Sequence, residues 1–166
     1  MQNFTVERVA LWKWNAEAAY TITHDDLCDT TTSGQFDHAL AALRERGLHA
    51  AFGAIVEVCE RRGMWSELER LINDGHEIMN HGWSHKSLVR ETRDFPFEID
   101  QAKTMLDTRL SAPTLFFIFP YDEFDESAVA AVRSASGSDG GAGRSVRNVH
   151  HPPPAGTVLP RCASFH

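Results

Sequence analysis

The stretch Gly75–Leu88 reads GHEIMNHGWSHKSL and joins a strand pattern to a pattern of metal-binding side chains. It begins with a turn glycine, continues as a short apolar strand, His76–Met79, and then places His81 and His85 four residues apart. Histidine is the commonest side-chain ligand of transition metals, and a pair at this spacing can aim both rings at one point. Two imidazoles alone bind a metal weakly, so the stretch predicts a third ligand elsewhere in the chain.

The best candidate for that third ligand is the pair Asp25–Asp26, which follows the short β-branched run Ala18–Thr23. Adjacent side chains at the end of a strand point in different directions, so one carboxylate can bind a metal while its neighbour faces a substrate. The second carboxylate can then take a proton from a water molecule acidified by the cation. Both motifs also have ordinary uses, because paired aspartates are common in turns and many surface histidines bind nothing. The site therefore depends on the two stretches meeting in space.

Short apolar runs and amphipathic segments alternate along the chain in the order β-α-β-α-α-β-α-β-α-β. The predicted strands are Ala18–Thr23, His49–Gly53, His76–Met79, Thr114–Phe119 and Ala142–Val146. The predicted helices run from Phe36 to Leu43, from Ile55 to Arg62, from Ser66 to Gly75, from Phe97 to Leu110 and from Ser127 to Ser134. Such alternation predicts an α/β fold with parallel strands joined by crossover helices. The polar clusters follow strands one, three and four, at the carboxyl ends where such folds build active sites.

Local signals mark the ends of two of these helices. Ser66 and Glu69 form an S-x-x-E capping box, which predicts that a helix begins at Ser66. Gly47 stands where a helix C-terminal glycine belongs, just after the apolar positions that end at Leu43.

The chain has 166 residues and a net charge of −7, which bounds the classes of function. We expect a single domain over residues 1–166, with an irregular Gly/Pro-rich tail over 134–166. The acidic balance argues against binding to nucleic acid or to an anionic membrane surface. No apolar run approaches the roughly 20 residues that span a bilayer. The oligomeric state is left open.

The first residues, MQNFTVERVALWKWN, lack the basic region, apolar block and cleavage site of a signal peptide. We therefore expect either a cytoplasmic protein or a fragment of an exported one. Cys28, Cys59 and Cys162 are odd in number and unrelated in spacing, which predicts reduced thiols and no disulfide framework.

Three separated motifs, THDD at Thr23–Asp26, HGWSH at His81–His85 and FPY at Phe119–Tyr121, together resemble the first three motifs of the polysaccharide deacetylases, the NodB-like carbohydrate esterases. Their order and spacing are also similar, within residues 15–125. The resemblance implies a distorted (β/α) barrel, here short of its last strand–helix units. It also implies a divalent metal, usually zinc with cobalt, nickel or manganese as alternatives, and an acetylated glycan as substrate.

The resemblance also implies a role for each motif residue. Asp25 would be the catalytic base, and Asp26, His81 and His85 would be the metal ligands. Tyr121 would supply a backbone N–H to the developing oxyanion. The implied function is a metal-dependent hydrolase that removes N- or O-acetyl groups from a carbohydrate by attack of a metal-bound water.

Several positions differ from the family pattern. His24 stands where an aromatic residue is usual, Ile118 where an arginine steadies the base, and Asp122 where a glycine follows the tyrosine. The late Leu-x-x-His motif that supplies the general acid has no match. The resemblance implies that Ser84 braces the segment His81–His85, which we call the histidine loop. These differences leave a second hypothesis, a catalytically weak or inactive metal-containing relative that binds glycan.

A third class of function, a metallo-phosphoesterase or nuclease, is disfavoured by the small number of carboxylates and by the acidic balance.

Overall fold

The computed structural model describes residues 21–27 and 34–135. Within them a parallel sheet has the order β1-β2-β3, formed by β1 (Thr23–Leu27), β2 (Ala51–Ala54) and β3 (Glu77–Asn80). The predicted α/β class with parallel strands is confirmed. Because the sheet has three strands in the described part of the chain, its closure into a barrel stays a prediction. The predicted strand Ala142–Val146, the tail beyond residue 135, Cys28 and Cys162 lie outside the described residues.

The strands begin and end later than the sequence predicted. The strand predicted at Ala18–Thr23 runs over Thr23–Leu27, so Asp25 and Asp26 lie inside β1 and not after it. The strands predicted at His49–Gly53 and His76–Met79 likewise run later, over Ala51–Ala54 and Glu77–Asn80. Apolarity marks burial, whereas a strand is defined by ladder hydrogen bonds, which polar residues make equally well.

The strand predicted at Thr114–Phe119 is wrong in its extent. It lies parallel to β3, as expected, but joins it by a single bridge between Asn80 and Phe117. The Asn80 N–H donates to the Phe116 carbonyl at 3.0 Å, and the Ile118 N–H donates to the Asn80 carbonyl at 2.9 Å. Because β3 ends at Asn80, the rest of the segment has no ladder partner on that side.

Within residues 21–27 and 34–135, five α-helices connect and flank these strands. They are α1 (Leu40–Glu45), α2 (Val56–Arg62), α3 (Trp65–Asn73), α4 (Ala102–Arg109) and α5 (Glu126–Ala135). Two of them are preceded by π-helical turns, Gln35–Ala39 before α1 and Pro96–Gln101 before α4. Among the helices of the described ranges, none is both long and apolar enough to cross a membrane.

The predicted capping box is wrong. Helix α3 begins at Trp65, one residue before Ser66, and Met64 precedes it without a side-chain cap. Gly63 ends α2 in a left-handed conformation at φ 65°, and the chain turns directly into α3. Ser66 therefore lies within the first helical turn, where its hydroxyl donates to Glu67 at 2.8 Å.

The core has two parts that meet along the segment containing α4. The larger cluster surrounds Phe52 and Leu68, and the smaller one surrounds Phe117 and Phe119. The buried face predicted for the segment Phe97 to Leu110 is confirmed at every position, namely Ile99, Ala102, Leu106 and Leu110. Ile99 packs in the smaller cluster and the other three in the larger, so this segment ties both clusters to the sheet.

Candidate metal centre

A β-bulge in β1 sets the direction of the two aspartates. His24 is paired with Phe52 and Leu27 with Ala54, so Asp25 and Asp26 together oppose the single residue between those partners, Gly53. Asp26 takes a left-handed conformation at φ 54°. A bulge of this kind bends the strand and re-aims its side chains, and bulges are common next to active sites.

The bulge brings Asp26 to the two histidines of the HGWSH stretch. Its Oδ1 lies 2.9 Å from Nε2 of His85 and 3.4 Å from Nε2 of His81. The three side chains offer ligand atoms that all lie within 4.8 Å of one another. Ligand atoms bonded to a tetrahedral zinc at about 2.0–2.1 Å are roughly 3.3 Å apart, so the spacing suits a divalent cation.

The protonation states also fit a cation. Nδ1 of His81 lies 3.0 Å from the carbonyl of Ile118, which can only accept, so Nδ1 carries the proton. In the neutral ring, Nε2 therefore presents a lone pair towards Asp26. A hydrogen bond from a ring that carries a proton on Nε2, that of His81 first and then that of His85, lowers the pKa of Asp26 well below its usual range, so this carboxylate is ionised at neutral pH. When neither ring carries a proton on Nε2, the buried Oδ1 of Asp26 has no hydrogen-bond donor among the described residues. A cation bound between Nε2 of His81 and Oδ1 of Asp26 would be coordinated by the lone pairs of both atoms.

His81 is the most firmly fixed of the three side chains. It is 2% exposed, and its backbone N–H donates to the Ala54 carbonyl at 3.0 Å. The bond from Nδ1 to Ile118 sets the orientation of the ring. Hydrogen bonds of this kind at the second ring nitrogen are what orient histidine ligands in metal sites.

Strained backbone is concentrated around these side chains. Of the described non-glycine residues, four have a positive φ, and they are Asp26, His85, Tyr121 and Asp122. The ring of Tyr121 packs on that of His85 with centroids 4.8 Å apart, so the turn Pro120–Asp122 borders the site. Left-handed conformations cost on the order of 1 kcal/mol or more each and cluster at functional sites.

Gly53, which lies opposite the bulge, was not singled out by the sequence analysis. A Cβ at this position would lie 2.9 Å from Cδ1 of Ile118 and 3.3 Å from Cβ of His81. A side chain at this position would therefore press on the buried histidine and require the end of Ile118 to move. No sequence pattern marks Gly53 as important. Its position opposite the bulge is set by the register of β1 against β2, which only the folded sheet shows.

Glu98 was also missed, and it holds the histidine loop. It is 2% exposed, and its Oε2 accepts from the N–H groups of Trp83 at 3.1 Å and Ser84 at 2.9 Å. Its Oε1 accepts from the Ser84 hydroxyl. Ser84 thus makes the kind of contact expected of a brace, and Glu98 is its partner. The signal available in the sequence was an acidic residue four positions before Ala102, on the predicted apolar face of the helix.

Asn80 supports the same loop from the end of β3. Its side-chain oxygen accepts from the Gly82 N–H at 2.9 Å, and its amide nitrogen donates to the Ile99 carbonyl at 3.0 Å. Because Asn80 is buried, these bonds fix the backbone on both sides of His81.

The family model described as polysaccharide deacetylase matches residues 15–137. The chain belongs to the polysaccharide deacetylase family. No match is found among curated proteins.

Solved deacetylases share the fold of this family member. The deacetylase PplD of Streptococcus pyogenes, in complex with acetate, gives a TM-score of 0.63 at 16% identity, over 70% of this chain and 52% of PplD. A family 4 acetyl xylan esterase from Clostridium thermocellum, in complex with a cobalt ion, gives 0.58 at 22% identity, over 68% and 54%. BA3943 of Bacillus anthracis, a CE4 family pseudoenzyme, gives 0.61 at 12% identity, over 70% and 40%. The present chain spans about half the length of these proteins or less.

The electrostatics of Asp25 distinguish it from its neighbour in this polysaccharide deacetylase domain. Its side chain reaches the surface, yet the surrounding protein displaces much of its water, and this desolvation raises its pKa. The charge of His81 opposes the rise, whereas those of Asp26 and Asp122 add to it. Two adjacent carboxylates with pKa values moved in opposite directions are typical of acid–base sites.

Proposed function

We propose that this protein is a metal-dependent hydrolase that removes acetyl groups from an acetylated carbohydrate. The observation that carries the proposal is the bulge, which turns Asp26 towards His81 and His85 and leaves Asp25 beside them. A bound divalent cation would supply an electrophile that acidifies water and polarises the acetyl carbonyl. Zinc is the first expectation for that cation, with cobalt, nickel and manganese as alternatives.

Asp25 acts as the general base in this proposal. It takes the proton of the water molecule that attacks the acetyl carbon. Its raised pKa moves it towards the range in which a carboxylate can both accept and return a proton. The C–N or C–O bond then breaks, acetate leaves, and the leaving amine or alcohol takes up the proton that Asp25 holds.

The backbone N–H of Tyr121 is proposed to donate to the oxyanion as the carbonyl oxygen gains charge. Such a donor must lie about 2.7–3.1 Å from the oxyanion in the transition state. The backbone of Tyr121 is left-handed, at φ 59°, and its ring packs on that of His85, so this turn lies beside a predicted metal ligand.

Two relatives support the chemistry. PplD is a deacetylase in complex with acetate, the product expected here. The acetyl xylan esterase of Clostridium thermocellum is in complex with a cobalt ion, which supports a divalent cation. The acidic surface charge of this chain favours a neutral or cationic glycan over a polyanion.

A second candidate is a catalytically weak or inactive relative that holds a metal and binds glycan. Ile118 at the position of the usual arginine favours it, and BA3943 is a structural neighbour that is a pseudoenzyme. The two candidates predict the same metal site and differ only in turnover.

One experiment separates these candidates. Metal content per chain is measured by elemental analysis, and acetate release is measured on acetylated chitin-like, xylan-like and peptidoglycan-like oligosaccharides. One metal per chain with acetate release supports the hydrolase. Full metal occupancy without release from any of the substrates favours the binder, and a second metal per chain would point to a phosphoesterase.

A further inference from the structure

The two segments that border the metal centre are joined by one carboxylate. Ser87 follows His85 by two residues, and Glu123 follows Tyr121 by two residues. The hydroxyl of Ser87, which is 0% exposed, donates to Oε2 of Glu123. A buried hydroxyl bonded to a carboxylate is a strong, directional contact, so it fixes the spacing of the two segments.

Arg90 extends this contact back to the centre. Its Nε donates to the same Oε2 of Glu123 at 2.6 Å, and its guanidinium carbon lies 6.0 Å from the ring centroid of Tyr121. Tyr121 in turn packs on His85. These contacts connect Glu123, through Arg90 and Tyr121, to the predicted metal ligand His85.

The Ser87 end of the contact is itself well anchored. The Ser87 N–H donates to Glu91 at 2.8 Å, and the Arg90 N–H donates to the Ser87 hydroxyl oxygen at 3.2 Å. The hydrogen bond from Ser87 and then that from Arg90 keep the pKa of Glu123 below its usual value, so the bridging carboxylate is ionised at neutral pH.

We propose that Glu123 is a positioning residue, which holds the turn bearing Tyr121 against the loop bearing His85. The proposal rests on the function proposed above, because it concerns the distance between the oxyanion donor and the metal ligands. Misplacement of a catalytic group by about 1 Å can cost on the order of 100-fold in rate. Glu123 touches neither substrate nor metal in this scheme and acts through Ser87, Arg90 and Tyr121.

The test compares Glu123→Ala and Glu123→Gln with the control Glu60→Ala. Glu60 is a fair match because it pairs with Arg109 at 3.0 Å and its side chain is 36% exposed, against 31% for Glu123. The readouts are kcat and KM for acetate release, metal affinity by titration, and the NMR shifts of the His85 ring protons, which report the nearby Tyr121 ring.

We expect Glu123→Ala to lower kcat by about 10- to 100-fold with KM changed less than about twofold, since the lost alignment matters in the transition state. The His85 ring shifts should move in Glu123→Ala and stay in place in Glu60→Ala. Glu123→Gln should restore part of kcat because its amide oxygen still accepts from Ser87. A purely structural role would lower thermal stability without this division between kcat and KM.

Unchanged His85 shifts in Glu123→Ala, or a kcat equal to that of Glu60→Ala in an active enzyme, would overturn the proposal. If Glu123→Ala fails to fold, Arg90→Gln, at a side chain that is 63% exposed, tests the contact from Glu123 through Arg90 to Tyr121 with the same readouts, and unchanged His85 shifts and kcat would overturn that part of the proposal. If the wild-type protein releases no acetate, the proposed function fails, whereas the His85 shifts still decide the role of Glu123.

Discussion

Nε2 of His85 lies 2.9 Å from Oδ1 of Asp26, and both residues have left-handed backbones, at φ 59° and 54°. Two residues in sparsely populated conformations thus face each other across the gap where a cation would sit. The surrounding fold, chiefly Glu98 and Asn80, maintains this arrangement. A cation that binds these atoms only in the folded protein should therefore stabilise the folded state.

Removal of one proposed ligand tests this arrangement directly. His85→Ala should weaken metal binding by more than about 100-fold, the upper end of the loss seen when partners outside the ligand shell are removed. For the wild-type protein, a metal concentration 100 times Kd should add about 2.7 kcal/mol to the free energy of unfolding. Calorimetric titration and thermal unfolding with and without metal measure both effects. His38→Ala, at an exposed histidine, is the control, and equal metal affinity of the two variants would exclude His85 as a ligand.

Asp25→Asn should abolish turnover and yet stabilise the metal-free protein. Loss of a general base costs about 100- to 10,000-fold in rate. Because desolvation raises the pKa of Asp25, the stability linked to this group is present below its unfolded value of 3.8 and is lost as pH rises through the folded value. At pH 7 the charged carboxylate of Asp25 lowers the free energy of unfolding, because the folded protein desolvates it. The asparagine side chain carries no charge, so the variant should have a higher melting temperature than the wild type.

The measurement is thermal unfolding of the metal-free protein at pH 7 and near pH 3.5, with Asp26→Asn as the contrast. The pKa of Asp26 is lowered, so its stabilisation is present at neutral pH and this variant should melt earlier. A lower melting temperature for Asp25→Asn at pH 7 would contradict the assigned electrostatics, and intact turnover would remove Asp25 as the base.

The sequence carried enough information to bring Asp26 and the two histidines together, and not enough to explain how. The motifs are local, and parallel strands gather their ends at one edge, so the meeting of the two stretches followed from topology. The bulge opposite Gly53 depends on strand register, and the grip of Glu98 on the histidine loop depends on packing of a distant helix. The capping box at Ser66 failed because Gly63 turned the chain into the helix one residue earlier. Long-range pairing and packing therefore decided the first two features, whereas a neighbouring turn decided the third.

Gly53→Ala tests whether the absence of a Cβ at position 53 makes room for His81. The added Cβ would press on Cδ1 of Ile118 at 2.9 Å and on Cβ of His81 at 3.3 Å. Overpacking of this kind costs about 1–3 kcal/mol, and a displaced His81 should also weaken metal binding. The double variant Gly53→Ala with Ile118→Val lacks the isoleucine Cδ1. It should recover stability in urea unfolding if Ile118 is the obstacle. Full recovery of metal affinity in the double variant would show that the contact with His81 is harmless.

Glu98→Gln should loosen the histidine loop. The single amide oxygen of Gln can accept from the N–H groups of Trp83 and Ser84, but the amide NH2 then replaces the carboxylate oxygen that accepts from the Ser84 hydroxyl. Loss of hydrogen bonds to a charged, buried acceptor costs about 2–3 kcal/mol, and metal affinity should fall by about 10- to 100-fold. Glu69→Gln is the control, because Glu69 also accepts from a backbone N–H, that of Ser111 at 2.9 Å. Similar metal affinity for both variants would mean that Glu98 serves the fold alone.

His24→Phe should make stability less dependent on pH. The His24 ring stacks on Phe52, with centroids 5.3 Å apart and planes 13° apart, and burial lowers its pKa while the charge of Asp25 opposes the shift. The unfolded chain therefore binds a proton near pH 6.5 that the folded chain binds only at lower pH, so stability falls as pH drops below 6.5. Phenylalanine keeps the stacking and does not titrate.

The free energy of unfolding in urea, measured between pH 7.5 and pH 5, gives the slope for each variant. One proton accounts for at most about 1.4 kcal/mol per pH unit, and partial exposure of His24 keeps the expected difference below that limit. His24→Gln separates charge from stacking, because it should share the flatter slope of His24→Phe and be less stable at pH 7.5. Some slope should remain in both, since desolvation also lowers the pKa of His76. A wild-type slope in His24→Phe would mean that His24 takes up its proton equally well in the folded protein.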